Sequence, residues 1–201
     1  MRRLLRNEQF AELTGMILGD GNLGNYPRCN YLRIYCNIKE RQYANEIRKI
    51  LEKVFSKKCY EYKRPSEGIS YLEISGKNLD RKLGIPIGDK IINKVRISEW
   101  IFEKEKYIIS CLRGLFDTDG CCYLTGKKYR IINFTNRNKV LLQNIYKALR
   151  ILEFHPYKSG GRNIEIGRKK EVERFFEMVK PRNLKHYRFN ARIAKVVKAS
   201  V

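Results

Sequence analysis

The segment LTGMILGDG at residues 13–21 returns as LRGLFDTDG at residues 112–120, 99 residues later in a chain of 201 residues. Small side chains recur at every fourth position in both copies, in the series Ala11, Gly15, Gly19 and Ser110, Gly114, Thr118. A step of four keeps such residues on one face of an α-helix. Because glycine inside a helix costs about 1 kcal/mol relative to alanine, the repeat indicates two helices that pack closely through these faces.

Each copy ends in an aspartate followed by a glycine, Asp20-Gly21 and Asp119-Gly120. We expect these glycines to end the helices in a left-handed conformation, which places both aspartates in the last turn, where the helix dipole disfavours an anion. Parallel packing would also bring the two carboxylates together. A divalent cation relieves both penalties, and hard carboxylate oxygens suit Mg²⁺ or Ca²⁺. Asp-Gly is also a common turn dipeptide, but a match over nine positions favours a shared metal site.

With these two motifs the chain resembles the LAGLIDADG homing endonucleases, in the form that carries both motifs on one polypeptide. The resemblance implies an α+β fold of two pseudo-symmetric αββαββα half-domains, packed through two parallel motif helices, with antiparallel sheets that form a DNA-binding saddle. We expect an N-terminal half-domain over 1–95 and a C-terminal one over 96–201, with the connection at about 86–103. The resemblance also implies a Mg²⁺-dependent centre that cleaves DNA.

The composition agrees with a nucleic-acid partner. The chain has 43 Lys and Arg against 21 Asp and Glu, a formal net charge of +22, which indicates a polyanionic ligand. It contains no run of about 18 apolar residues and no signal-peptide pattern, so we expect an intracellular protein, cytoplasmic if prokaryotic, with an organelle not excluded. The six cysteines show no zinc or CxxC spacing, which favours free thiols.

Hydrophobic periodicity predicts the same order of elements in both halves. In the first half we expect a helix over 7–20, strands near 22–26 and 31–36, a helix over 40–55, strands over 59–64 and 69–75, and a short helix at 79–83. In the second half we expect a helix from 103, hairpin turns at 125–127 and 159–161, and helices over 170–179 and 190–201.

Sheets with helices on one side leave their other face free to meet a ligand. The residues that we expect on that face are rich in cations, tyrosine and asparagine, which suit phosphates and base edges. In the first half they are Arg33, Tyr35, Tyr60, Tyr62, Lys63 and Arg64, and in the second half Lys127, Lys128, Tyr129, Asn133, Lys158 and Arg162.

The family resemblance also implies roles for residues around the two aspartates. Lys90 and Lys185 each follow a proline by four residues and match the lysines that reach toward the cleavage centre. The backbone carbonyls of Gly19 and Thr118 could complete the metal coordination. Polar residues that order water around the metal are expected at Asn37, Arg41, Thr135 and Lys139.

Three further ionisable residues fall outside this pattern. Asp117 lies two residues before Asp119, a spacing that turns it away from the shared helix face, so we do not assign it as a ligand. His155 and His186 are the only histidines and have no partner at triad or metal spacing, which argues against zinc hydrolases and His-Cys nucleases.

The sequence therefore predicts a monomeric, site-specific double-strand DNA endonuclease with Asp20 and Asp119 at its centre. From the resemblance we expect cuts that leave short 3′ overhangs, an intron-encoded origin, and Mg²⁺ as cofactor, with Ca²⁺ able to bind without supporting cleavage. Two alternatives remain open. They are a maturase that binds its own intron RNA and a DNA-binding regulator on the same scaffold that does not cut.

Overall fold

The structure of the chain, a computed structural model, describes residues 4–126 and 129–188. The helix expected over 190–201 lies outside the described residues, as do Lys127 and Lys128. Within the described ranges, no helix is both long enough and apolar enough to span a lipid bilayer.

The first half has the predicted order of elements. Asn7 caps the first helix by accepting a hydrogen bond from the Phe10 backbone N–H at 2.9 Å. The elements are α1 (Glu8–Leu18), β1 (Gly21–Tyr26), β2 (Cys29–Asn37), α2 (Arg41–Phe55), β3 (Tyr60–Arg64), β4 (Ile69–Gly76) and α3 (Leu79–Leu83).

The second half repeats this order after a connection that contains one 3₁₀ turn, Glu99–Glu103. Its elements are α4 (Glu105–Asp119), β5 (Gly120–Thr125), β6 (Tyr129–Thr135), α5 (Lys139–Ile151), β7 (Tyr157–Ser159), β8 (Asn163–Ile166) and α6 (Lys169–Val179). A further 3₁₀ turn, Leu184–Tyr187, ends the described part of this half.

Each half contains one four-stranded antiparallel sheet, with strand orders β1-β2-β4-β3 and β5-β6-β8-β7. Alternation along β2 buries Leu32 and Ile34 completely and leaves Arg33 on the opposite side. In β6 the fully buried residues on the core side are Ile132 and Phe134, both 0% exposed. Each sheet therefore has a helix-facing side that belongs to the core and an outer face, defined as the side that carries Arg33 in the first sheet and Asn133 in the second.

The two motif helices pack side by side and parallel, as the small residues predict. A Cβ added to Gly15 would overlap the Cys111 carbonyl oxygen and lie 2.9 Å from the Leu115 nitrogen. One added to Gly114 would overlap the Glu12 carbonyl oxygen in the same way. Glycine at these two positions lets the backbones of α1 and α4 touch, which no larger residue allows.

The ends of the motif helices differ from the expectation in one respect. Gly120 has φ −88° and ψ 155°, and neither Gly21 nor Gly120 has a positive φ, so the prediction of left-handed terminators is wrong. Both glycines instead begin strands, and a Cβ on Gly21 would collide with the Ile17 backbone of the preceding turn. Glycine is needed there for close approach of the strand to the helix.

Buried ion pairs join the halves around Glu12, which is only 1% exposed. Its carboxylate accepts hydrogen bonds from Arg113 of α4 at 3.1 Å and from both Nε and Nη2 of Arg182. Arg182 also bonds to Glu46 of α2 at 2.9 Å. The segment after α6 is thereby fastened to the first half.

The connection between the halves makes the reciprocal contact with the second half. The Asn138 side-chain amide donates to the carbonyl oxygens of Lys90 and Val95, at 3.2 and 2.7 Å. The Ile97 N–H donates to the Asn144 side chain at 2.9 Å. The segment that follows each sheet therefore rests on the other half.

Candidate active site

Asp20 and Asp119 lie at the same end of the paired helices. Asp119 is the last residue of α4, whereas Asp20 lies two residues beyond α1, between its Gly19 cap and the first residue of β1. A Cβ on Gly19 would overlap the Thr118 side chain and lie 3.3 Å from the Asp119 carboxyl carbon. The close packing of the helices thus brings the two carboxylates into one site.

The electrostatics of this site disfavour two bare carboxylates. Burial raises the pKa of Asp119 to about 6, with the neighbouring Asp20 charge as the second cause. Burial also raises the pKa of Asp20, against the lowering effect of Lys185 and Lys90. Hard oxygen donors that are desolvated and mutually repelled fit a divalent cation.

Lys90 reaches the end of α1 from the connection. Its ammonium donates to the carbonyl oxygens of Ile17 and Leu18, each at 3.1 Å, and to that of Gly19. These carbonyls are acceptors left unpaired by the end of a helix, and a cation there also complements the helix dipole. Burial lowers the pKa of Lys90, while Asp119 and Asp20 oppose that shift. The Gly19 carbonyl accepts from Lys90 through one of its two lone pairs, so its role as a metal ligand stays a prediction.

Lys185 occupies the corresponding place on the other side of the site. Within the described residues its ammonium makes no direct hydrogen bond or ion pair, although its charge lowers the pKa of Asp20. It lines a cavity of about 290 Å³ beside Asp20, together with Tyr35, Asn37, Glu40, Tyr43 and Asp117. The two lysines therefore differ, because Lys90 is fixed by three carbonyls and Lys185 is not.

The polar residue that touches Asp119 is one that the sequence did not single out. The Asn136 side-chain amide donates to Asp119 Oδ2 at 2.5 Å. The expected residue Thr135 instead donates to Asn163 at 2.7 Å. Asn136 lines a cavity of about 500 Å³ that includes Lys90, Thr135, Arg137, Asn138 and Arg162. The sequence therefore predicted the right segment for this site, but it selected Thr135 where the next residue, Asn136, makes the contact.

The other residues of the expected water network are exposed; Asn37 ends β2, and Arg41 and Lys139 begin helices. Asn37 accepts a hydrogen bond from the Lys39 N–H at 2.9 Å, forming the turn that leads into α2. Arg41 is the first residue of α2 and Lys139 the first of α5. Glu40, which the sequence analysis did not select, faces Asp20 and helps to raise its pKa.

Asp117 lines the cavity beside Asp20, but its oxygens are taken up by the segment that follows α6. It is fully buried, and its oxygens accept the backbone N–H groups of Arg182 and Asn183, each at 3.0 Å. Burial raises the pKa of Asp117 to about 7. His186 lies 3.7 Å from Asp117, and burial lowers its pKa to about 3. His155 pairs with Glu171 at 2.8 Å on α6, so neither histidine is at the paired aspartates.

The outer faces begin next to the two aspartates, because β1 starts directly after Asp20 and β5 directly after Asp119. The first outer face carries Arg33 and Arg64 among the rings of Tyr31, Tyr35, Tyr60, Tyr62 and Tyr71. The second carries Tyr129 and Asn133, together with Tyr123 and Tyr157, which the sequence analysis missed. Arg162 lies in the turn between β7 and β8, and its carbonyl accepts the Asn136 N–H at 3.0 Å.

Two of the expected face residues lie on the helix-facing side. Lys63 pairs with the buried Ser70, and its ammonium lies 3.9 Å from Glu61, which bonds to Arg48 of α2. Lys158 pairs with the buried Ile164. Their placement on the outer face was wrong because side chains alternate along a strand, so that Lys63 cannot share a face with Tyr62 and Arg64.

The described residues contain no cluster of three or more His, Cys, Asp or Glu side chains that could hold a metal. All six cysteines are free, and burial raises the pKa of Cys36 to about 12. Metal binding at this site therefore depends on the two aspartates with other oxygen ligands, such as water or a substrate phosphate.

Comparisons with known proteins agree with this fold. A family model described as a LAGLIDADG-like domain matches residues 106–180. The homing endonuclease I-WcaI bound to its DNA recognition sequence is similar at TM-score 0.62 and 19% identity, covering 95% of this chain and 90% of that one. I-DmoI in complex with DNA and Mn is similar at TM-score 0.61 and 17% identity, over 86% and 96%.

A third similar structure is the N-terminal LAGLIDADG domain of DUF199/WhiA, at TM-score 0.59 and 17% identity, covering 89% of this chain and 86% of that one. No curated protein matches the chain in sequence. The family match lies in the second half, and the two-sheet fold is shared over most of the chain. Residues 106–180 therefore match a LAGLIDADG-like domain, and the chain has the same fold as I-WcaI and I-DmoI.

Proposed function

We propose that this protein is a site-specific double-strand DNA endonuclease that hydrolyses phosphodiester bonds. One observation carries the proposal. The close contact of α1 and α4 brings the Asp20 and Asp119 carboxylates together beside two lysines, at the point where both outer faces begin. A structural role alone would not require two repelling, desolvated carboxylates at the same end of two helices.

Asp20 and Asp119 are the proposed metal ligands, with Mg²⁺ as the native ion and Ca²⁺ as one that binds without supporting cleavage. The raised pKa of both carboxylates supports this assignment, because a dication would remove the repulsion between them. When bound, the ion would supply charge neutralisation at the phosphate and a lower pKa for the attacking water. The Thr118 carbonyl remains a candidate ligand.

The lysines have different proposed tasks. Lys185 stabilises charge that develops on the scissile phosphate, because its ammonium is not committed to a partner among the described residues. Lys90 keeps the end of α1 in place and contributes its charge from there. Asn136 holds the Asp119 carboxylate by a direct hydrogen bond, so it is proposed as a positioning residue.

The DNA is bound by the two outer faces, each of which covers one half of a long asymmetric site. The net charge of +22 and the arginine and tyrosine residues on these faces support this role. We propose half-domains 1–95 and 96–201 in one monomer, so that a single chain supplies both catalytic aspartates. An intron-encoded origin and short 3′ overhangs are part of the same proposal.

The decisive experiment measures binding and cutting separately. Duplexes that the protein enriches from a random pool are cloned into a plasmid, which is incubated with the protein and Mg²⁺ or Ca²⁺. We expect linear plasmid with Mg²⁺ and binding alone with Ca²⁺. Asp20→Asn and Asp119→Asn should each abolish linearisation while binding stays within about threefold.

Matched variants and clear opposing outcomes complete the design. Asp80→Asn, a carboxylate change on α3 away from the site, serves as the control and should cut normally. Tight binding without any cutting would identify a regulator instead, and splicing promoted on the host intron RNA would identify a maturase. Cutting that survives Asp20→Asn would refute the proposed centre.

A further inference from the structure

Each outer face contains one nearly buried glutamate at an equivalent place. Glu73 on β4 is 7% exposed and Glu165 on β8 is 6% exposed. Glu73 lies between Arg33 and Tyr60 on the neighbouring strands, and Glu165 lies between Asn133 and Tyr157. Anionic groups at the centre of faces that bind DNA need an explanation, since phosphates repel them.

In the first sheet the glutamate is neutralised. Arg33 Nε donates to Glu73 at 2.7 Å, and Arg33 Nη2 donates to the Tyr26 hydroxyl at 2.8 Å. That hydroxyl in turn donates to Glu73 at 3.0 Å. The guanidinium lies 4.2 Å from the centre of the Tyr31 ring and 4.9 Å from that of Tyr71. Glu73 thus orients Arg33, whose remaining N–H groups are donors on this face.

In the second sheet no cation takes this place. The residue opposite Glu165, in the place that Arg33 takes opposite Glu73, is Asn133, and within the described residues no lysine or arginine forms an ion pair with Glu165. The Tyr123 hydroxyl donates to Glu165 at 3.2 Å. Tyr157 lies directly opposite Glu165 on β7. Burial, together with the hydrogen bond to Glu165, raises the pKa of Tyr157 to about 12.

Whether the second cluster, formed by Glu165, Tyr123 and Tyr157, offers donors or acceptors depends on where its hydroxyl protons lie. A phenol that donates its only proton to a carboxylate keeps its oxygen lone pairs free as acceptors. Tyr157 is 43% exposed, so its oxygen is accessible to a ligand. The centre of the second outer face therefore offers acceptors and a negative charge, whereas the centre of the first offers donors.

On the basis of the function proposed above, we propose that Glu165, Tyr123 and Tyr157 form a specificity-determining cluster that reads an exocyclic amino group in the DNA major groove. The amino groups at cytosine N4 and adenine N6 are the donors that base edges present there. Arg33 reads guanine at the corresponding place in the other half-site, because guanine presents only acceptors on that edge. The first half thus requires a hydrogen-bond acceptor on its base, and the second half requires a donor.

The test compares the base preferences of variants in duplex pools with a randomised core. For the wild-type full chain we expect one position in one half-site to favour cytosine or adenine. Glu165→Gln and Tyr157→Phe should each reduce that preference about tenfold, the scale of one good base contact. Asn133→Arg places a guanidinium opposite Glu165, as Arg33 lies opposite Glu73, and should switch the preference at the same position to guanine.

Two further measurements sharpen the result. A duplex in which the preferred base is replaced by an analogue without the amino group should bind wild type about tenfold more weakly. The same analogue should not weaken binding by Glu165→Gln further. Tyr146→Phe, on α5 behind the same sheet, is the control and should leave the preference unchanged.

The outcomes separate this inference from the function on which it rests. Enrichment of identical sequences by wild type, Glu165→Gln and Tyr157→Phe would overturn the role of the cluster while leaving DNA binding intact. A wild-type protein that enriches no sequence at all would overturn the proposed function, and this inference with it.

Discussion

Gly15 of α1 and Gly114 of α4 each touch the backbone of the opposite helix, so that the two helices meet with no side chain between them at these points. Replacing either glycine by alanine forces the helices apart, because a Cβ would overlap a carbonyl oxygen and no flexible side chain could give way. We expect Gly15→Ala and Gly114→Ala each to lower the free energy of unfolding by about 3 kcal/mol or more.

Urea denaturation of the glycine variants measures this effect, with Gly84→Ala as the control. Gly84 has φ +67° and open space around it, so alanine there costs only the conformational strain, about 1 kcal/mol. Equal losses at Gly84 and Gly114 would show that the helix contact is not tight.

The second prediction concerns the stability cost of the paired carboxylates. Asp119 has its pKa raised from 3.8 to about 6 in the folded protein. The unfolded chain therefore loses this proton first as pH rises, and the folded state loses stability between about pH 4 and pH 6. Asp119→Asn should consequently be stabilising by about 2 to 3 kcal/mol at pH 7 and close to neutral below pH 4.

The measurement is the difference in unfolding free energy between wild type and Asp119→Asn at a series of pH values without metal. Taking the difference cancels other groups, such as His186, whose lowered pKa favours the folded state as pH rises. The partly exposed Asp80→Asn provides the baseline variant. A difference that is independent of pH would contradict the raised pKa of the buried Asp119 carboxyl.

The third prediction separates the two lysines. Lys90→Met removes the donor that satisfies the last carbonyls of α1, which should lower the unfolding free energy by about 1 to 3 kcal/mol. Lys185→Met removes no hydrogen bond among the described residues and should cost less than about 1 kcal/mol. Cleavage of bound DNA should nevertheless fall steeply in Lys185→Met, by about a hundredfold or more.

Thermal unfolding and single-turnover cleavage at saturating protein report these two effects independently. Normal cleavage by Lys185→Met would remove this residue from the proposed chemistry. Unchanged stability of Lys90→Met would show that its bonds to the helix end contribute little.

The fourth prediction concerns the buried ion pairs between the halves. Glu12→Gln leaves Arg113 without a carboxylate and Arg182 with Glu46 alone, and breaking this buried ion-pair network should cost about 3 to 5 kcal/mol. Glu8→Gln offers the matched control on the same helix. Its partner Lys106 lies 3.1 Å away on α4, but both side chains are more than half exposed, so the loss should be below about 1 kcal/mol.

Guanidinium denaturation is unsuitable here because its salt screens the ion pairs, so urea at constant ionic strength is the appropriate denaturant. Similar losses for Glu12→Gln and Glu8→Gln would contradict a network that holds the halves together.

Much of the fold followed from the sequence because its strongest signals are periodic. The repeat around Gly15 and Gly114 predicted the helix pair, and alternation around Leu32 and Ile34 predicted the sheet faces. The errors at Lys63 and Lys158 were avoidable, since consecutive residues of a strand cannot share a face. A strict count of two from Tyr62 would have excluded Lys63.

The site was less accessible to sequence reasoning because its contacts depend on distant segments. Glu12 and Arg182 are 170 residues apart, and neither lies in a motif. The bond from Asn136 to Asp119 depends on the position of a turn, which periodicity locates only to within a residue or two. The asymmetry between Glu73 and Glu165 lies in Arg33 against Asn133, and only the strand register shows that these two residues are equivalent.

In each half, the segment that follows the sheet is hydrogen-bonded to the other half. Arg182 makes this contact with the first half, and Asn138 holds the connection against the second half. Half-domains exchanged between relatives would lose both sets of contacts unless these segments were exchanged with them. The practical unit for building chimaeric proteins from this scaffold is therefore one half together with the segment of the other half that contacts it. A boundary drawn between the two sheets alone would separate these parts.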